Sequence, residues 1–443
     1  MKQNSQENQC LGNTINYSSA SKPFIVTSVI LLFIGSSIGS IWMMSIFGTG
    51  LPQWFHDVFQ LHKTLQMDGF LTLLIMGIGY MIVPRFRNIH LVSTRLAYVS
   101  FILILASLVL QLIQTIGYDQ NLSVWIMIPR ISGIVIFLII IFWTLRVRPK
   151  LLGLSDYFVT LCLISLVIVN VIYLLGYGYA NSLTHIQLWL LFPVLMIFGI
   201  EYKTLPSFLG FIRPRKNLAV ASLFFISSSI ISGLASVLFF DMSLLFSIIF
   251  NVTLFASALT FAGAIYAFGG FDNGEILSLI RGEKKARYNF TVIHIKISFL
   301  FLFIGMATAI LFILVGHYLV FYDLVIHSIA IGFIGLTIAL YLPLMLPPII
   351  GKIIHFTNFN RIPLILIIIS LSIRTVGDFI LAQPSSPSSF SLGYIRSSLP
   401  QILTHFFGLS GWFIVTAMLV FVIMIHKSMK GVDALPRNNT NTS

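Results

Sequence analysis

The chain has 443 residues, of which 57% are hydrophobic and only 9% are charged, and its formal net charge is +13 at pH 7. Soluble globular domains carry roughly 25% charged residues, so this composition excludes an ordinary soluble enzyme or binding module. The positive charge does not indicate nucleic-acid binding, because lysine and arginine occur in short clusters between apolar runs and not along one face.

Apolar runs long enough to cross a bilayer as helices recur along the whole chain. They lack the alternation of a membrane β-barrel, so we predict an all-α, polytopic helical bundle of about 12 transmembrane helices. The predicted spans cover residues 24–47, 62–83, 95–117, 123–145, 156–178, 184–208, 218–240, 243–269, 291–315, 321–345, 361–381 and 397–425. We expect a polar leader at 1–22 without a removable signal peptide, a single membrane domain at 23–426 and a polar tail at 427–443.

The connections between the predicted spans alternate between two kinds. Every second connection carries lysine or arginine, and the others are almost free of both. Basic connections face the cytoplasm, so we predict cytoplasmic termini and a multi-pass protein of the plasma membrane. The basic residues that define this orientation include Lys22, Arg85, Arg87, Arg146, Arg148, Lys203, Arg213, Lys284, Lys352, Arg361 and Lys427.

In this orientation, histidines from several helices lie in the outer part of the membrane. His62 and His185 open the second and sixth spans. His327 and His405 lie about two turns into the tenth and twelfth spans, and His317 ends the ninth. Any one of them could be an ordinary interfacial side chain. Their shared depth favours a metal or haem site, because a haem between helices needs imidazoles from two spans. We predict that at least two of His62, His185, His327 and His405 are such ligands.

Two arginines lie in the outer third of predicted spans, where a charged side chain needs a partner. Arg374 has Asp378 one turn further along its own helix. Arg130 has no carboxylate on its helix, so haem propionates are candidate partners, and they are a weaker candidate for Arg374. Asp323 precedes His327 by one turn and could orient its imidazole or simply face water.

Other residues within the spans are expected to serve structure. Glu201 lies near the cytoplasmic end of the sixth span, where we predict a local ion pair with Lys203 or Arg213. Glycines such as Gly77 and Gly332 are predicted to allow close packing of helices.

Four segments, taken in chain order, carry a resemblance to a known family. They are LHKTLQMDGFLTLLIMGIGYMIVPRF at 61–86, RISGIVIFLIIIFWTL at 130–145, FGIEYKTLPSFLGF at 198–211 and LVIHSIAIGFIGLTIALYLPLML at 324–346. They resemble helices of the NnrS family, which are polytopic membrane proteins that contain haem and copper and are linked to nitric oxide metabolism and nitrosative stress. The tenth helix departs from the family where it ends, because Pro347, Pro348, Gly351 and Lys352 stand where an arginine and a Gly-His pair are expected.

The resemblance implies a haem cofactor of the b type, possible copper, and a site near the outer membrane face. His62 and His327 would be axial ligands, and His405 and His185 further haem or copper ligands. Arg130 and Arg374 would contribute to cofactor binding. The implied partners are the lipid bilayer, nitric oxide or another diatomic molecule, and an unidentified electron donor.

Two alternatives stay open. The chain is more loosely similar to the catalytic subunit of haem–copper oxidases, whose haem ligands lie on the second and tenth of twelve helices. A complete oxidase or nitric oxide reductase centre is not expected, because residues 218–240 contain no histidine and position 325 is Val325. A secondary transporter of about 12 helices would need matched halves and polar residues at the midplane, which the sequence does not offer.

Overall fold

The computed structural model describes residues 20–47, 56–87, 89–117, 122–146, 152–175, 183–209, 211–269, 283–315, 319–345, 361–381 and 401–430. Within these ranges the chain is helical and contains no strand. The helices are α1 (Ser21–Phe47), α2 (His56–Thr64, Leu65–Leu71 and Thr72–Arg87), α3 (Thr94–Gly117), α4 (Ser123–Arg146), α5 (Leu154–Leu174), α6 (Leu183–Leu209), α7 (Lys216–Leu238), α8 (Ser243–Ala264), α9 (Glu283–Val315), α10 (Leu319–His327, Ser328–Gly335 and Leu336–Met345), α11 (Ile362–Leu381) and α12 (Gln401–Gly408 and Ser410–Lys430).

The predicted all-α membrane bundle is confirmed. In the described part of the chain, 11 helices are long and apolar enough to cross a membrane, and α11 is a shorter apolar helix over Ile362–Gly377. The outer helices expose large apolar side chains such as Ile102, Trp143, Phe224 and Ile231, whose exposed fractions lie between 59% and 69%. Such surfaces are stable only against lipid, so the protein is a multi-pass membrane protein.

Helices α2, α6 and α10 form the centre of the bundle. In their most apolar stretches 89%, 94% and 61% of the residues are buried, against 50% or less in the other spans. The remaining helices pack around them largely as sequential pairs, α3 with α4, α7 with α8 and α11 with α12, and α12 returns to pack against α1. Side chains on α2 and α10 can therefore meet inside the bundle.

Aromatic and glycine contacts hold these inner helices close to their neighbours. The rings of Phe198 on α6 and Phe261 on α8 stack in parallel, with centroids 3.9 Å apart. Phe333 of α10 meets Phe198 edge to face at 6.0 Å. A Cβ added at Gly77 of α2 would lie 2.7 Å from Cβ of Phe24 on α1. The predicted packing role of Gly77 is confirmed, since any larger side chain would push α1 and α2 apart.

The predicted ion pair of Glu201 is wrong. Lys203 instead donates from Nζ to the backbone oxygen of Phe86 at 2.7 Å and lies over the ring of that residue. Glu201 is fully buried, and neither carboxylate oxygen has a hydrogen-bond partner among the described residues. It lies between α6 and α10 beside Tyr341, because its helix turns it inward and not toward the cytoplasmic surface. Its burial therefore opposes folding.

Replacing Glu201 with Met should stabilise the protein by about 1–3 kcal/mol, because the change removes a buried polar group that lacks a partner. The measurement is the thermal midpoint of the purified protein in detergent. Asp156→Asn is a control with an effect of opposite sign. Asp156 forms a buried ion pair with Arg87 at 3.2 Å, and neutralising its carboxylate should lower the midpoint. If the Glu201→Met protein were no more stable than the wild type, other interactions of Glu201 would offset the cost of burying its carboxylate.

Candidate functional site

A cavity of about 440 Å³ lies between α1, α2, α10, α11 and α12, with α6 contributing at one side. Most of its wall is apolar. The charged and imidazole side chains that line it are His62, Lys63, Asp323, His327 and Arg374. The volume falls in the range of roughly 300–1,000 Å³ that is typical of ligand and cofactor pockets. In this cavity two of the inner helices bring histidines together.

His62 enters this cavity from α2 in a fixed orientation. Its Nδ1 lies 2.7 Å from the backbone oxygen of Gly35 on α1. A neutral imidazole that donates from Nδ1 carries its lone pair on Nε2, which is the form that binds a metal ion. The ring also packs on Gly39, where an added Cβ would lie 2.5 Å from both Cε1 and Nδ1. The absence of a side chain at Gly39 therefore makes room for this imidazole.

We expect Gly39→Ala to displace the His62 ring and to lower stability by about 1–3 kcal/mol, as overpacking in a core does. The thermal midpoint in detergent measures the effect. Gly263→Ala is the matched control, since its Cβ would meet only Leu218 at 3.4 Å, and there the substitution should be neutral or slightly stabilising. Equal midpoints for the two variants would contradict the tight contact at Gly39.

His327 enters the same cavity from α10. Its Nδ1 lies 2.9 Å from the backbone oxygen of Asp323 and 3.1 Å from the carboxylate Oδ1 of the same residue. Both acceptors favour the tautomer that carries hydrogen on Nδ1 and leaves Nε2 as the ligand atom. His62 and His327 thus lie on two inner helices, line one cavity and have the same ring nitrogen engaged.

Arg374 of α11 binds the carboxylate of Asp323 through both oxygens. Its Nε lies 2.6 Å from Oδ2 and its Nη2 2.6 Å from Oδ1. This partner comes from a neighbouring helix, because α10 packs beside α11 and brings a carboxylate to the guanidinium. The side chain of Asp378 lies outside the described residues. Arg374 therefore reaches His327 through Asp323, which matches the predicted orienting contact of that residue.

Arg130 also finds its partner within the protein. Its Nη2 lies 2.6 Å from Oδ1 of Asp68 on α2, and its Nε donates to Asn170 on α5 at 3.1 Å. The guanidinium also lies 5.3 Å from the ring centre of Tyr173. Arg130 does not line the cavity, so the reason for expecting a cofactor carboxylate beside it is removed.

The other two predicted ligands do not reach the cavity. His185 is buried on α6, and the charged groups with which it interacts include Lys63, Asp68 and Arg130. His405 is exposed on α12, whereas its neighbour Thr404 lines the cavity. In the ranges that the structure covers, no three His, Cys, Asp or Glu side chains are grouped so as to hold a metal ion. His317 lies outside those ranges.

Each cavity histidine is followed by a π-helical segment, which the sequence did not predict. Leu65–Leu71 begins three residues after His62, and Ser328–Gly335 begins directly after His327. A π-helical segment accommodates an extra residue in a helix and is frequent at functional sites. Along the first segment Met67 lines the cavity while Asp68 reaches Arg130. The glycines in both segments are the only feature of the sequence that points to π-helical winding, and they are not specific for it.

These features define a helical membrane bundle with two histidines on inner helices in one apolar cavity. No family model and no curated protein sequence matches the chain. Its fold is similar to that of a haem–copper terminal oxidase whose dimer was solved by cryo-EM. The TM-score is 0.64 at 12% sequence identity, and the similarity covers 94% of this chain and 85% of the oxidase chain. At this identity the similarity establishes the fold alone, a helical membrane bundle like that of the oxidase chain.

Proposed function

We propose that this protein binds haem in the cavity, where His62 and His327 would hold the iron. The observation that carries the proposal is the matched geometry of the two imidazoles. Each lines the cavity from an inner helix, and each engages Nδ1 with a backbone carbonyl, at 2.7 Å and 2.9 Å. Such contacts fix the orientation of metal-binding histidines in proteins. The similarity in fold to a haem–copper terminal oxidase supports the same group of cofactors.

The residues that line the cavity suit a haem. Along α10 the cavity extends from Tyr322 to Leu342, a length of roughly 30 Å at the rise of a helix. The two histidines lie near one end of it, and the remainder is lined mainly by apolar side chains that would exclude water from a macrocycle. Lys63 lines the cavity beside His62 and supplies a cation for a haem propionate.

When bound, a haem supplies one-electron transfer and a binding site for a diatomic ligand. The protein's residues hold and orient it: Gly35 and Asp323 fix the imidazoles, and Arg374 fixes Asp323. We propose that the protein handles nitric oxide or passes electrons near the outer membrane face. The resemblance of the segments around both histidines to NnrS proteins supports this role. Copper is not part of the proposal, because the side chains of His185 and His405 do not line the cavity.

The test is an optical and metal analysis of protein purified after expression with ample haem. We expect a Soret band, about one b-type haem per chain, and spectral change when nitric oxide is added to the reduced protein. A protein without visible absorbance would overturn the proposal.

A respiratory oxidase is the second candidate, which the similarity in fold favours. It would need a copper centre, and α7 contributes no histidine. Consumption of dioxygen with a reduced electron donor would identify it. Spectral binding of nitric oxide without such turnover would favour the first candidate.

A further inference from the structure

We infer that the two axial histidines have unequal roles: His327 is the retained ligand, and His62 is the ligand that a diatomic molecule displaces. This inference rests on the proposed function. It follows from a difference between the hydrogen-bond partners of the two imidazoles, which the sequence pattern alone treats as equivalent.

His327 is held by a charged network. The carboxylate of Asp323 lies 3.1 Å from Nδ1, and the backbone oxygen of the same residue lies 2.9 Å from it. Arg374 fixes that carboxylate with two contacts of 2.6 Å. A carboxylate acceptor makes the imidazole a stronger metal ligand, and hydrogen bonds to charged groups are roughly twice as strong as neutral ones. Asp323 is therefore a positioning residue that strengthens His327.

The network around His327 is also partly shielded from water and joins two helices. The exposed fractions of the Arg374 and Asp323 side chains are 10% and 23%, so water competes little for their contacts. Because Asp323 and Arg374 lie on α10 and α11, the carboxylate that contacts His327 is itself held by an ion pair between helices. Both the strength and the placement of this ligand therefore favour its retention.

The imidazole of His62 has a weaker hydrogen-bond acceptor than that of His327. Within the described residues its hydrogen-bond partner is the backbone oxygen of Gly35, a neutral acceptor at 2.7 Å. No carboxylate of the described chain hydrogen-bonds to this imidazole. A neutral acceptor leaves the ring a weaker donor to a metal than a carboxylate does. In the exchange the bond to Nε2 of His62 breaks and the incoming molecule takes its place, without transfer of an electron or a proton.

The test compares His62→Ala with His327→Ala in the full chain, each purified after expression with ample haem. We expect His62→Ala to keep its haem in a high-spin state and to bind nitric oxide at least about tenfold faster than the wild type. We expect His327→Ala to retain the least haem. In the reduced wild type with nitric oxide, the electron paramagnetic resonance spectrum should show splitting from one histidine nitrogen, and His62→Ala should show the same splitting.

Asp323→Asn separates a positioning role from a structural one. It should lower haem affinity by roughly 10- to 100-fold and raise the reduction potential. It should also lower the thermal midpoint, because Arg374 loses its charged partner, so the reduction potential is the readout that reports the positioning role. Asp156→Asn, a buried carboxylate outside the cavity, should leave the potential unchanged. Haem retention by His327→Ala but not by His62→Ala, or an unchanged potential in Asp323→Asn, would overturn the inference. A wild-type protein without a Soret band would instead remove the proposed function itself.

Discussion

His327→Ala should lower the haem content of the purified protein at least about tenfold, because it removes the imidazole that Asp323 and Arg374 support. The measurement is the ratio of Soret to protein absorbance, together with haem content per chain. This is the largest functional effect that we expect from a single substitution.

His405→Ala is the matched control for this prediction. The same residue type is changed on a helix that also borders the cavity, but its side chain is exposed and does not line the cavity. The Soret band should therefore keep its position and intensity. If His405→Ala lost as much haem as His327→Ala, the ligand assignment to the cavity histidines would be wrong.

Arg130→Ala should destabilise the protein by about 3 kcal/mol, the low end for buried ion pairs, because it leaves the carboxylate of Asp68, whose side chain is 20% exposed, without its partner at 2.6 Å. The thermal midpoint in detergent reports the loss. The double variant Arg130→Met with Asp68→Leu should recover much of it, since no unpaired charge then remains.

Arg146→Ala controls for the removal of an arginine from the same helix. Arg146 is exposed at the end of α4, where its guanidinium lies 4.6 Å from the ring centre of Phe142. We expect a cost within about 1 kcal/mol. A midpoint for Arg130→Ala as high as that of Arg146→Ala would show that the pair with Asp68 contributes little.

The helices and their order were predictable because span length and alternating basic connections are properties of the chain itself. The charged residues that pair between helices were not predictable. Asp68 and Arg130 lie 62 positions apart, and Asp323 and Arg374 lie 51 apart. Which opposite charges meet depends on which helices are neighbours, and spacing within one helix offered Arg374 only Asp378.

The position of a residue along its helix was also easier to predict than the direction in which its side chain points. His405 has the expected position along α12, yet successive residues of a helix are rotated by roughly 100°. Thr404 consequently lines the cavity, whereas His405 is exposed. The sequence offered no reference for this rotation, since nearly every face of the helix is apolar. His62 and His327 both line the cavity, because they lie on inner helices, where most directions lead inward.

The two π-helical segments make the cavity sensitive to the length of the chain. Each segment, Leu65–Leu71 and Ser328–Gly335, fits one residue more than regular helical winding would hold. Loss of a single residue there would restore regular winding and turn everything on one side of the segment by roughly 100° relative to the other. His62 could then no longer line the cavity while Asp68 pairs with Arg130. Within these segments, deletions are therefore more damaging than most exchanges of one apolar side chain for another.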